Sequence, residues 1–326
     1  MSPGTPIEGP AEPPGPAVPP VPPGKSADAP GAPLRAGFAA LVGRPNVGKS
    51  TLLNALIGEK LSIVTPRPQT TRHRVLGVLN SGQAQIALLD TPGLHAGARR
   101  ALNRAMNRTA AAALHDADLC VLVVEALRFT EEDELVLRRL RASARPAIAA
   151  VNKIDRVRPR QKLLPFIAEL AGRFEFADVV PVSALRSENL AALIGAMAKL
   201  LPESPPLFPR EQLTDRDVRF RIAEVIREKL TLELDQELPY GIAVEVERSL
   251  EEDGQLLVDA AIWVDRAGQK PIVIGAHGER LKRIGRGARL ELNRALARRL
   301  HLTRWVKVRK GWADDARALK QLGVER

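Results

Sequence analysis

From Phe38 to about Leu201, short apolar runs alternate with stretches in which apolar positions recur every three or four residues. The runs read as buried strands and the recurring stretches as amphipathic helices. Strands are expected near 37–43, 74–80, 84–89, 118–124, 147–151 and 178–182, and helices near 49–58, 99–114, 131–143, 160–171 and 188–200. Such alternation predicts a doubly wound α/β sheet with helices on both faces.

After Leu201 the pattern breaks. The segment Leu201-Pro202-Glu203-Ser204-Pro205-Pro206-Leu207-Phe208-Pro209 holds four prolines in nine residues and reads as a linker. Beyond it the expected order is a helix over 218–230, strands over 242–250 and 255–265, a short helix over 271–275, a longer one over 279–300 and a strand over 305–308. That is a separate α+β unit. The expected organisation is therefore a tail over 1–36, a first domain over 37–201, a linker over 202–212 and a second domain over 213–326. The tail is mostly Pro, Gly and Ala, too poor in large apolar residues to order itself. Arg is absent before Arg35 and no basic region leads into an apolar stretch, which argues against a targeting role.

Composition narrows the chemistry. The one cysteine, Cys120, lies in the apolar run Leu119 to Val124, so an internal disulfide framework is excluded and a reducing, cytoplasmic setting is expected. The histidines at 73, 95, 115, 277 and 301 are scattered, and no cluster has metal-ligand spacing. No run of ~20 apolar residues is present to span a membrane. The net charge of +11 is concentrated: 266–310 holds fourteen Lys and Arg against Glu279 and Glu291, a local +12. This is the footprint of a polyanion partner.

The octet Gly43-Arg44-Pro45-Asn46-Val47-Gly48-Lys49-Ser50 follows an apolar strand and opens a helix. A G-x-x-x-x-G-K-S loop turns backbone N–H groups toward phosphate, brings the Lys49 ammonium to the β- and γ-phosphates and places the Ser50 hydroxyl, with Thr51 beside it, at Mg²⁺. The base is read further on, in Asn152-Lys153-Ile154-Asp155. A carboxylate at Asp155 accepts from the N1–H and N2 amine of guanine, whereas adenine offers no such pair, so ATP is rejected by unpaired polar groups. Asn152 can tie this loop to the phosphate loop, and the stem of Lys153 can cover the base. In Asp90-Thr91-Pro92-Gly93, Asp90 would hold Mg²⁺ through a water and the Gly93 N–H would sense the γ-phosphate. The backbone of Ser183-Ala184-Leu185 would face the guanine O6. Between these motifs, Gln69-Thr70-Thr71-Arg72-His73 must supply a threonine to Mg²⁺, Thr71 or alternatively Thr70. A segment ordered by γ-phosphate is a switch. The ligands implied are GTP or GDP and Mg²⁺.

In the second domain, Ile274-Gly275-Ala276-His277-Gly278 lies between two expected helices, followed by Arg280, Lys282 and Arg283. A G-x-x-G turn lets a sugar–phosphate chain approach backbone N–H groups, and an apolar floor accepts unstacked bases. With this element order the unit looks like a KH module of the type whose strands precede the G-x-x-G. The linker is expected to keep this site independent of the nucleotide site.

Together these motifs resemble the Era-like family of bacterial GTPases, over nearly everything after residue 36. Further stretches carry the likeness: Leu238-Pro239-Tyr240, Trp305-Val306-Lys307-Val308 and Gly311-Trp312-Ala313-Asp314-Asp315. The resemblance implies a Ras-like GTPase domain joined to a KH domain, acting as a monomer on the 3′ end of small-subunit ribosomal RNA and in maturation of that subunit. Ala276-His277 departs from the polar or lysine pair usual in the family's turn. After Asp90-Thr91-Pro92-Gly93 comes Leu94, which cannot orient a water as the Ras-like glutamine does, so unaided hydrolysis is expected to be slow. The missing group is either a K⁺ ion held partly by Asn46, as in relatives with this asparagine, or comes from a partner. Lys49, Asn46, Thr71 and Gly93 are thus the candidate catalytic residues. Two other readings are a binding module with a vestigial GTPase and a regulatory GTPase whose basic face lies peripherally on the cytoplasmic side of a membrane.

Overall fold

The computed structural model describes residues 34–93 and 101–324. The first domain is a six-stranded sheet of β1 (Arg35–Val42), β2 (Val75–Ser81), β3 (Ala84–Asp90), β4 (Leu119–Glu125), β5 (Ala147–Asn152) and β6 (Asp178–Pro181). The strands lie in the order β2-β3-β1-β4-β5-β6, with β2 antiparallel to β3 and the others parallel. Helices α1 (Lys49–Ile57) and α5 (Leu190–Leu200) pack Leu52, Leu53, Leu193 and Met197 on one face, against Ile86, Leu88 and Val121. On the other face α2 (Ala101–Asp116), α3 (Glu131–Ser143) and α4 (Leu163–Arg173) bring Leu114, Leu137 and Leu170 to Leu122 and Val124. Covered on both sides, the central strands are apolar at nearly every position. Cys120 lies in this layer, and burial pushes its thiol up to about 12, leaving it inert.

The second domain is α6 (Val218–Glu233), β7 (Ile242–Glu252), β8 (Gln255–Val264), α7 (Gln269–Ile274), α8 (Glu279–Leu296), β9 (Arg299–Val308) and α9 (Ala316–Gln321). Its sheet runs β7-β8-β9, with β7 antiparallel and β9 parallel to β8. Helices α6 and α8 bury Ile226, Leu230, Ile284 and Leu292 against Val258, Ala260 and Ile262.

Several expected boundaries shift. The helix expected over 279–300 stops at Leu296 because Ala297 turns left-handed (φ 49°), and the last strand starts at Arg299 rather than 305. Leu300, Leu302 and Val306 are buried there in a full ten-residue register with β8. The helix expected from 160 begins as a 3-10 turn, Arg160–Lys162, before α4. Helix α9, started by an Asp315 carboxylate that accepts from the Arg317 N–H, lies beyond the elements expected. Arg35 and Ala36, assigned to the tail, belong to β1 and pair with Ala84 and Gln85; residues 1–33, 94–100 and 325–326 lie outside the described residues, Leu94 and His95 among them. The proline-rich linker is pinned down. Gln85 Oε1 accepts from the N–H of Leu207 (2.7 Å) and Phe208 (2.9 Å), and Phe208 meets Phe38 edge-on at 6.2 Å. Among the described residues no helix is long and apolar enough to cross a membrane.

The domains share a core. Leu102, Ala105 and Met106 of α2 are buried with Ala243, Trp263, Trp312 and Leu319 of the second domain.

Candidate nucleotide cleft and nucleic-acid groove

The phosphate loop joins β1 to α1, and Gly48 is the residue that permits the join. It takes φ 98°, and a Cβ there would lie 2.4 Å from Asn152 Nδ2. That same Nδ2 donates to the Val47 carbonyl at 2.8 Å, so the base-reading loop and the phosphate loop are tied directly. Lys49 is buried, with Nζ donating to the carbonyls of Gly43 and Arg44, both at 2.9 Å. Burial lowers its pKa to about 8, with Asp90 opposing the shift. Val47 points into the core and Arg44 points at Glu125 and Asp133, so these two give the loop their backbone rather than their side chains.

Ser50 Oγ donates to Asp90 Oδ2 at 2.6 Å and stands 2.8 Å from Thr71 Oγ1. Ser62 Oγ also donates to Asp90 Oδ2, at 2.8 Å. Asp90 is fully buried, burial raises its pKa, and its Oδ1 has no hydrogen-bond partner. An unpaired buried carboxylate oxygen beside two hydroxyls is a set of hard oxygen donors that fits Mg²⁺. Of the two threonines the structure brings Thr71 here, while Thr70 bonds Thr65 Oγ1 (2.6 Å) and the Arg67 carbonyl (2.7 Å) within its own loop. Thr91 is buried, donating to the Leu41 carbonyl at 2.8 Å, and together with buried Pro92 it steers the chain to Gly93. Gly93 lies so close to Pro45 that a Cβ would sit 2.9 Å from the Pro45 nitrogen. Asn46 is left-handed (φ 63°) and its amide donates to the Pro66 carbonyl at 3.2 Å.

At the other end, Asn152 Oδ1 accepts from the N–H of Lys153 (2.8 Å) and Ala184 (3.0 Å), and Ser183 Oγ donates to Asp155 Oδ1 at 2.6 Å. The result is a cleft of about 420 Å³ lined by Pro45, Asn46, Gly48, Lys49, Ser50, Thr51, Gly93, Asn152, Lys153, Asp155, Ala184 and Leu185. Gly43, Arg44, Val47, Asp90, Thr91, Pro92 and Ser183 do not line it, though Asp90 and Ser183 bond to Ser50 and Asp155, which do.

In the second domain the turn Gly275-Ala276-His277-Gly278 joins α7 to α8. Gly275 (φ 75°) could carry no Cβ without coming 2.6 Å from that of Arg280. Ala276 and His277 are exposed at the tip, Ile274 is half-buried beneath them, and His277 is itself left-handed (φ 50°). The expected basic trio is not free. Arg280 donates to the Ile272 carbonyl (2.5 Å), Lys282 pairs with Glu279 (2.8 Å) and Arg283 with Glu233 (2.9 Å). Beside the turn, α8 and β9 form a groove of about 350 Å³ to which Arg286, Arg289 and Arg304 add their cations. All three lie inside the +12 stretch, and their common face forms only because β9 begins at Arg299.

The segment that carries Thr71 is bonded directly to the second domain, a contact that the expected linker does not provide. The residue after Thr71 is buried in the second domain: Arg72 donates to the carbonyls of Ile242 (2.6 Å), Pro239 (2.9 Å) and Tyr240 (3.1 Å). From α6, Arg227 donates to the Thr70 carbonyl (2.6 Å), and Glu228 accepts from the Val64 N–H (3.0 Å) and Lys60 Nζ (2.6 Å). His73 is buried with Nδ1 3.0 Å from the Gly323 carbonyl. Burial lowers its pKa to about 4; burial alone would raise that of Glu224, but Arg227 and its other cationic neighbours hold it down at about 2. Nothing in the sequence pattern marked these contacts, since charges in a polar segment read as solvated.

Comparison with known proteins places this geometry. The model of the 50S ribosome-binding GTPase family matches residues 38–153, and the KH domain model matches 237–313. GTPase Era of Marinobacter nauticus is 50% identical over 290 residues, covering 89% of this chain and 95% of that one. GTPase Era of Xanthomonas oryzae pv. oryzae is 50% identical over 293 residues, covering 90% and 98%. Two solved structures superpose with a TM-score of 0.87, each covering 90% of this chain and all of the other. One is an Aquifex aeolicus Era variant bound to GDP·AlF4⁻, 38% identical; the other is Era in complex with MgGDPNP and nucleotides 1506–1542 of 16S ribosomal RNA, 39% identical.

Proposed function

This chain belongs to the GTPase Era family, and from that premise we propose that it binds the 3′ end of small-subunit ribosomal RNA under the control of its bound nucleotide and serves assembly of that subunit. It is a GTPase. The observation that carries the timing is the segment from Lys60 to His73. Thr71 stands at the nucleotide's metal side, while Arg72, Thr70 and Val64 are bonded into the KH domain. A ligand that holds Thr71 at Mg²⁺ bears directly on a segment bonded to the KH domain, so the two sites share one equilibrium.

When bound, Mg²⁺ would neutralise charge on the β- and γ-phosphates, with Ser50 and Thr71 as its direct ligands and Asp90 acting through a water. Lys49, held at the loop with a lowered pKa, is released from two carbonyls to the phosphates. Asp155, oriented by Ser183, reads the guanine edge. Asn46 lies on the cleft wall and reaches the switch segment at Pro66, which supports a role in holding K⁺ where charge develops. For RNA, the G-x-x-G turn and the α8–β9 groove receive an unstacked strand, with Arg286, Arg289 and Arg304 beside it.

The test is equilibrium binding of a single-stranded oligonucleotide with the 3′-terminal small-subunit sequence, in GDP and in a non-hydrolysable GTP analogue. Affinity should differ between the two nucleotides, and fall with salt at a log–log slope of about −0.7 per phosphate neutralised. Equal affinity in both states would remove the timing; no binding in either would remove the RNA.

A further inference from the structure

Glu125, the last residue of β4, belongs to none of the motifs above, yet it stands between the two loops that grip the nucleotide. Its Oε2 accepts from Arg44 of the phosphate loop at 3.0 Å, and its Oε1 lies 3.1 Å from Nζ of Lys153. Arg44 in turn donates from Nε to Asp133 Oδ2 at 3.0 Å, and that carboxylate is wholly buried while it caps α3 through the N–H and hydroxyl of Thr130. A line of alternating charge, Lys153–Glu125–Arg44–Asp133, therefore runs from the base-reading loop to the start of α3. The sheet fixes its middle. Glu125 is in register with Asn152, and the next N–H, that of Ala126, donates to the Asn152 carbonyl at 2.9 Å.

Lys153 has a specific need for this partner. It is left-handed (φ 66°) at the mouth of the cleft, with a side chain 20% exposed. A lysine stem left free there samples many rotamers, and ordering it when a base arrives opposes binding. Glu125 is 19% exposed and anchored from behind by Arg44, so the ammonium has a fixed, partly desolvated acceptor before any ligand binds.

We propose that Glu125 is a positioning residue for guanine recognition, holding the stem of Lys153 across the base plane through an ion pair that Arg44 anchors to the phosphate loop. This rests on the reading of the cleft as a guanine-nucleotide site. Glu125→Gln is the informative change, because a glutamine keeps one acceptor for Arg44 and loses the one that faces Lys153. In the full chain, GDP affinity should fall about fivefold to tenfold, through faster release, in Glu125→Gln and in Lys153→Met alike. The double variant should bind no more weakly than Lys153→Met alone. Pyrophosphate, which has no base, should bind all four proteins equally. Additive losses, or a matching loss for pyrophosphate, would overturn the proposal. Should Glu125→Gln not fold, Lys153→Arg, which can keep the ion pair, should lose less GDP affinity than Lys153→Met; an equal loss would overturn the proposal too. A wild-type protein with no preference for GDP over ADP would instead remove the underlying reading of the cleft.

Discussion

Arg72→Ala cuts a direct connection between the nucleotide switch and the KH domain. The side chain is buried, 4% exposed, and forks to three carbonyls at 2.6, 2.9 and 3.1 Å. Burial lowers its pKa to about 9, aided by the neighbouring Arg227 and opposed by Glu224, so it is still a cation at pH 7. Charged hydrogen bonds contribute about 1.5–3 kcal/mol each, and water re-entering the gap returns part of that, so truncation should cost about 3 kcal/mol of docking free energy. That is about a hundredfold shift in the equilibrium between a docked and a released switch segment. Hydrogen exchange reads it locally. Amides of 61–73 should exchange about a hundredfold faster, while those of β3, β4 and β5 keep their protection. RNA affinity in the two nucleotide states should converge at the same time. Arg72→Lys should fall between, since an ammonium cannot fork to all three carbonyls. Unchanged protection of 61–73, or an undiminished nucleotide effect on RNA binding, would refute the coupling.

Asp155→Asn replaces an acceptor with a donor at the guanine edge; GTP affinity should drop at least a hundredfold, roughly 3 kcal/mol, and xanthosine triphosphate should become the preferred ligand, with comparable GTP binding by both proteins removing the assignment. Turnover should be faster in K⁺ than in Na⁺ at equal ionic strength, and Asn46→Ala should erase the difference while leaving GDP binding intact; equal wild-type rates in the two salts would point to a partner-supplied group. His73 titrates near 4 when folded against 6.5 unfolded, so its contribution is full above pH 6.5 and is lost as pH falls toward 4, by about 3 kcal/mol. His73→Gln should flatten unfolding free energy measured over that window, and an unaltered slope would show that the imidazole is not the titrating group.

The nucleotide cleft was readable because its chemistry is local. Gly43 to Ser50, Asp90 to Gly93 and Asn152 to Asp155 each place several ligands on one turn, so spacing along the chain equals spacing in space. Thr70 against Thr71 stays open in the sequence, since adjacent residues differ only in which way the loop turns them; in the structure Thr71 meets Ser50 while Thr70 bonds Thr65 and Arg67. The fold followed from apolar runs, but the α8–β9 boundary did not. No glycine or proline marks the break; Ala297 supplies a left-handed turn that its own chemistry does not announce. Glu125, Arg72, Glu224, Arg227 and Glu228 were invisible for a common reason. A buried charge is tolerated only because partners distant in sequence meet it, and a single chain does not reveal those partners. For the basic trio after the G-x-x-G, three cations are visible in the sequence, but not that Ile272, Glu279 and Glu233 already engage them.

Crosslinking the protein to RNA in growing cells and sequencing what is bound bears on the whole account at once. Reads should concentrate at the 3′-terminal single strand of small-subunit ribosomal RNA. They should vanish for a chain carrying Ala276→Asp and His277→Asp, which sets two carboxylates where the proposed path of the phosphate chain runs, while purified protein still binds GDP. Reads spread over other RNAs, or left in place by the two aspartates, would contradict it.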